Sequence, residues 1–124
     1  MARLFLLEDH SWFRMALADL LEEREPDLEV FGQAGSLAEA RNEAAGKAER
    51  IDLAVVDLLL PDGIGTEIIR KLRAEGSGVP VLVLTVARGP DLRAWVLSMD
   101  ADEMVSKDAS LEEIFSAIRN LLRG

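Results

Sequence analysis

The chain has no cysteine and no tyrosine, a single histidine, and few aromatics of any kind, four Phe and two Trp. Without cysteine, neither disulfides nor thiolate-bound metals hold the fold, which suits the cytosol. Basic charge is short as well. With 14 Lys and Arg against 23 Asp and Glu, the formal net charge is −9. Proteins that grip nucleic acid present a basic face, so no direct nucleic-acid binding is expected from residues 1–124. Long hydrophobic runs are missing too. The apolar stretch after Met1 stops at Glu8, too short for a signal-peptide core, and none approaches the ~18 residues of a membrane span. A cytoplasmic protein without membrane contact is the expectation.

What remains is ample for one domain. The chain has 124 residues, 49% hydrophobic and 30% charged, which allows a real core. Apolar runs recur at about 3–8, 28–32, 52–60, 79–86 and 102–106. Runs this continuous fit strands of a parallel sheet covered on both faces. Helical patterns lie between them. Phe13, Leu17, Leu20 and Leu21 form one stripe. "SLAEARNEAAGKAE" opens with Ser36 as N-cap and Glu39 three residues on, a capping box. Ile64, Ile68 and Leu72 recur before Gly76, and Leu92, Trp95, Val96 and Met99 recur after Pro90. Leu111, Ile114, Phe115, Ile118 and Leu122 form the last stripe, capped by Ser110. Five such strand–helix pairs predict a single α/β domain with a doubly wound parallel sheet. Ligands of such sheets sit beyond the carboxyl ends of the strands.

Polar residues gather at that edge. The first run ends in Glu8 and Asp9, the third carries Asp57 in its middle, the fourth ends in Thr85 and the fifth in Lys107. Each has a plain explanation by itself: Asp9 as a helix cap, Thr85 as an ordinary strand residue, Lys107 as a solvated lysine, Pro61-Asp62-Gly63 as a turn, and His10 as a loop residue. Their conjunction has none. Two ionised carboxylates ~4 Å apart repel by about 4 kcal/mol at an effective dielectric near 20. A hard cation such as Mg²⁺ relieves that repulsion and still binds phosphate oxygens. A carboxylate, Asp57, beside a lysine and a hydroxyl therefore reads as an aspartyl-phosphate site.

The segments "FLLEDH", "VVDLLLPDGIGTEIIRKLR", "VLVLT" and "VSKDAS", in this order, resemble the receiver domain of two-component response regulators, across the whole chain, residues 1–124. "LLLPDGIGTE" and "KDAS" resemble most the NarL/LuxR subfamily, whose members carry a C-terminal helix-turn-helix. The resemblance implies a flavodoxin-like (βα)5 fold with strand order 2-1-3-4-5 and a signalling role rather than that of an enzyme. It also implies Glu8 and Asp9 as the acidic pair binding Mg²⁺ or Mn²⁺, Asp57 as phosphoacceptor and metal ligand, and the Leu59 backbone carbonyl as a further metal ligand. Thr85 would be the switch hydroxyl and Lys107 the partner of the phosphoryl oxygens. A sensor histidine kinase would be the donor, with a DNA-binding output domain and a phosphorylation-dependent homodimer as further implied partners.

The sequence departs from the family in places. Met104 stands where most receivers carry an aromatic, and Val86 replaces the usual Ala or Ser. Asp100 and Glu103 replace two glycines, which predicts distortion of the helix end and the strand after it. Leu59 and Ala87, both apolar, predict slow loss of the phosphoryl group to water. Three other readings stand beside the receiver. A haloacid-dehalogenase-type hydrolase needs a second Asp where Leu59 lies, and a flavodoxin-like nucleotide binder needs a Gly-rich loop after the first strand. The remaining one is a receiver-like interaction scaffold with a weak switch or none.

Overall fold

The computed structural model describes residues 1–44 and 47–123. The strands are β1 (Ala2–Leu7), β2 (Leu28–Ala34), β3 (Leu53–Val56), β4 (Leu59–Leu60), β5 (Gly63–Ile64), β6 (Val81–Thr85) and β7 (Glu103–Ser106). Alternating with them are the helices α1 (Ser11–Arg24), α2 (Leu37–Ala44), α3 (Thr66–Ala74), α4 (Pro90–Ser98) and α5 (Leu111–Leu122), with a 3-10 turn at Ala48–Arg50. The main sheet is parallel throughout, in the order β2-β1-β3-β6-β7. Strands β4 and β5 form a separate small hairpin, so the sheet strands taken alone follow the expected 2-1-3-4-5 order.

Burial on both faces explains the near-continuous apolar runs. On one face Phe5, Leu7, Ala54, Val56, Val81 and Val83 pack under α2, α3 and α4. On the other, Leu4, Leu6, Leu53, Val55, Leu82 and Leu84 meet Leu17, Leu21, Ile114, Phe115 and Ile118 of α1 and α5. Alternate residues of the three central strands, β1, β3 and β6, thus serve opposite cores.

Helix α2 begins where the capping box places it, since the Ser36 hydroxyl accepts from Glu39 N–H at 3.1 Å. The reciprocal bond differs: Glu39 takes the N–H of Gly35 rather than that of Ser36. Of the helical pattern read through residue 49, Leu37–Ala44 is α2, residues 45 and 46 lie outside the described residues, and Ala48–Arg50 form the 3-10 turn.

At the amino-terminal edge of the sheet, Arg73 ties three segments together. Its guanidinium donates to the carbonyls of Ser77, Val79 and Asp100 at 3.1, 2.7 and 2.8 Å and to the Asp102 carboxylate at 3.3 Å. Asp102 in turn accepts from Val81 N–H. Asp100 has a φ of 69°, the left-handed conformation that glycine adopts more readily. The expected distortion stops there, because β7 keeps regular register with β6 from Glu103 to Ser106.

Candidate functional site

Sheet register assembles the site. Leu7 lies opposite Val56, and the ladder runs one bond past each strand end: Glu8 N–H donates to Ala34, Asp57 N–H to Leu7, and Lys107 N–H to Thr85. These bonds bring Glu8, Asp57 and Lys107 to one level at the carboxyl edge. Asp57 does not sit in the middle of a strand, as the run 52–60 implied. Strand β3 ends at Val56, and Asp57 is the first residue beyond it. An acid at the strand end keeps one open side toward the loops, which is why the sheet tolerates it.

Below Asp57 the backbone is crowded. A Cβ on Gly65 would lie 2.0 Å from the Asp57 carbonyl oxygen and 2.8 Å from a Val56 methyl. Gly65 N–H also donates to Leu58 O at 2.7 Å. Only glycine lets the start of α3 approach the acid this closely. The reading of Pro61-Asp62-Gly63 as a turn did not reach Gly65, two residues farther on.

The side chains form one ionic cluster. Lys107 Nζ lies 2.5 Å from Glu8 Oε1 and 2.9 Å from Asp57 Oδ2. Glu8 Oε2 accepts from His10 N–H at 2.9 Å, and Asp57 Oδ1 from Leu59 N–H at 3.3 Å. Glu8 and Asp57 are buried while Asp9 is exposed, so the cluster opens to solvent on the Asp9 side. Thr85 is fully buried at the end of β6, and its hydroxyl accepts from Ala87 N–H at 3.4 Å. Leu59 and Val86 are exposed beside this edge, and Met104 is half-buried against the core under α4.

Burial pushes the Glu8 and Asp57 carboxyls above their ordinary values, against the pull of Lys107. A neighbouring carboxylate adds to the push, Asp57 on Glu8 and Asp9 on Asp57. Burial also works against the Lys107 charge, but bonds to Glu8 and Asp57 outweigh it and lift the ammonium above the usual lysine value.

Three acids and one lysine leave two negative charges uncompensated. Oxygens of Glu8, Asp9 and Asp57 lie within 4.8 Å of one another. An octahedral Mg²⁺ shell, with bonds of ~2.1 Å, sets its oxygens about 3–4 Å apart. The all-oxygen donor set, its excess charge and its open side therefore fit a hard divalent cation.

The structure corrects two minor readings. His10, not Asp9, caps α1: its Nδ1 accepts from Phe13 N–H at 3.2 Å, which requires a neutral ring. Asp62 does more than turn the chain. Its carboxylate accepts from Leu37 and Ala38 N–H at 2.8 and 3.0 Å, so the hairpin caps α2 from a distance. These bonds hold the Asp62 carboxyl below its ordinary value. Sequence reasoning also passed over Phe13, whose ring centroid lies 5.2 Å from Lys107 Nζ.

Comparison with known proteins agrees with this geometry. Residues 4–119 match the family model described as the response regulator receiver domain. Over 124 residues the chain is 36% identical to the DNA-binding transcriptional activator DevR/DosR of Mycobacterium tuberculosis, covering all of this chain and 56% of that protein. It is 32% identical to the virulence transcriptional regulatory protein PhoP of Salmonella typhimurium, covering 99% of this chain and 53% of that one. The chain thus spans about half the length of these relatives. A LuxR-family two-component response regulator from Aurantimonas superposes with a TM-score of 0.89 at 28% identity, covering 100% of this chain and 86% of that one.

Proposed function

The chain belongs to the response regulator receiver domain family, and from that premise we propose that Asp57 is its phosphoacceptor. The observation that carries the reading is Lys107 bridging Glu8 and Asp57, with Asp9 at the open side. One Asp57 carboxylate oxygen attacks the phosphorus of a phosphohistidine on a sensor kinase. The phosphorus–nitrogen bond breaks, and its electron pair returns to the imidazole. Glu8, Asp9, Asp57 and the Leu59 carbonyl would hold Mg²⁺ or Mn²⁺, which would supply positive charge toward the transferring oxygens. Lys107 exchanges its bond to Asp57 for one to a phosphoryl oxygen, and Thr85 turns its hydroxyl from Ala87 N–H toward the same group.

Residues 1–124 act in this reading as one cytoplasmic receiver unit, a signalling module rather than an enzyme. The named relatives regulate transcription, so output passes to a DNA-binding segment outside these residues, with pairing of phosphorylated copies as the intermediate step. The receiver itself, at net −9, makes few phosphate contacts and leaves DNA to that segment. Labelling with acetyl phosphate tests the chemistry. Label should appear with Mg²⁺, vanish with EDTA, and be released by hydroxylamine as an acyl phosphate is. Label that forms in EDTA or resists hydroxylamine contradicts the assignment.

A further inference from the structure

We propose that Phe13 is the positioning residue for Lys107: its ring face holds the ammonium over Asp57 while leaving it free to move between carboxylate and phosphoryl oxygens. The inference rests on the reading of Asp57 as phosphoacceptor.

An ammonium has three N–H donors. In this site Glu8 Oε1 and Asp57 Oδ2 take two of them. The Lys107 side chain is 13% exposed, so little water surrounds the third direction. The Phe13 ring lies within the ~6 Å over which a cation is attracted to an aromatic face. Among the described residues two other cations sit over rings, Arg3 over Phe31 at 5.1 Å and Arg24 over Phe115 at 5.5 Å. Arg3 is exposed and the Arg24 side chain is 47% exposed, so water screens both. The attraction is strongest when the cation is desolvated, which singles out Lys107.

The ring is fixed by the same short stretch that supplies the acids. Phe13 N–H is capped by His10 Nδ1, and Arg14 on the next position donates to the Glu8 carbonyl at 2.5 Å. The ring is half-buried against the core shared by α1 and α5.

A ring suits the task better than a third acceptor would. A carboxylate or amide would hold Nζ along one bond direction, and leaving it would break that bond. The attraction of an aromatic face is broad, so Nζ keeps it while exchanging Asp57 Oδ2 for a phosphoryl oxygen slightly farther out. Leucine fills similar space without a quadrupole.

The test compares the full chain as wild type, Phe13→Leu and Phe13→Tyr. Without metal, NMR of the Lys107 ε-methylene should show an upfield ring-current shift in wild type and Phe13→Tyr, lost in Phe13→Leu. With Mg²⁺, beryllofluoride affinity and the rate of labelling by acetyl phosphate should each fall about fivefold in Phe13→Leu, the factor that ~1 kcal/mol of cation–π attraction gives. Phe13→Tyr should stay near wild type. The Kd for Mg²⁺ alone should match in all three, because the ring offers the ion no oxygen. Equal labelling and beryllofluoride affinity in wild type and Phe13→Leu overturn the proposal. So does a loss of Mg²⁺ affinity that Phe13→Tyr shares, which marks a merely structural role. Absence of label in wild type contradicts the phosphoacceptor reading itself and takes this inference with it.

Discussion

At the amino-terminal edge of the sheet, Arg73 and Asp102 cancel each other's charge, and their bonds go mostly to backbone groups. At the carboxyl edge, three carboxylates face one lysine, and burial raises the two buried acids in pKa rather than settling them. Both are polar networks between strand ends and helices, and they differ in what is left over. The first is complete and holds the scaffold. The second carries two negative charges more than its own cation offsets, which fits a hard divalent cation. A balanced polar network fixes a structure, whereas an unbalanced one marks where something else binds.

Breaking the balanced edge should have the largest effect. Arg73→Ala removes four hydrogen bonds and leaves Asp102 without its cation. We expect a loss of about 2–3 kcal/mol in urea unfolding, with the Kd for Mg²⁺ unchanged. A loss below ~0.5 kcal/mol, the range of an ordinary surface substitution, contradicts the clamp.

Gly65→Ala attacks the unbalanced edge through the backbone. The new methyl meets the Asp57 carbonyl, which cannot move without dragging its own side chain. Stability should fall by roughly 2 kcal/mol, as for other overpacked sites, and phosphoryl labelling should fall with it. Unchanged labelling separates the glycine from the site.

Relieving charge at the same edge should have the opposite sign. Asp57→Asn is expected to stabilise the metal-free protein by about 1 kcal/mol and to abolish the gain that Mg²⁺ gives wild type. The pH dependence follows from linkage. Glu8 and Asp57 bind protons more tightly folded than unfolded, so metal-free stability falls as pH rises from the ordinary carboxylate range through their raised folded values. Asp57→Asn should flatten that slope, and thermal melts across that window read it.

The smallest effects lie at the turns. Asp100→Gly relieves the left-handed conformation at the cost of a looser unfolded chain, for a net gain of about 0.5 kcal/mol. Asp62→Ala should lower Tm at neutral pH. Its carboxyl is held low, so its contribution is present above the ordinary Asp value and disappears as pH falls through the lowered one. The two melting temperatures should then converge in acid.

The sequence made the sheet and the polar residues at its carboxyl edge readable because both rest on local pattern. Doubly buried strands leave apolar runs, and Glu8, Asp9, Asp57, Thr85 and Lys107 each stand at or beside the end of one. The rest needed contacts between distant segments. That Asp62 caps α2 depends on where the β4–β5 hairpin lands, and that Phe13 backs Lys107 depends on the packing of α1 against the end of β7. His10 as cap was missed because Asp9, the commoner capping type, stood next to it. The apolar run continues past Asp57, but Leu58 turns into the core and Leu59 and Leu60 belong to the hairpin.

Intact-mass measurement after incubation with acetyl phosphate and Mg²⁺, on wild type and Asp57→Asn in parallel, tests the central claim most directly. Wild type should gain one phosphoryl group, Asp57→Asn none, and wild type none when EDTA replaces Mg²⁺. Equal labelling of the two proteins would contradict it.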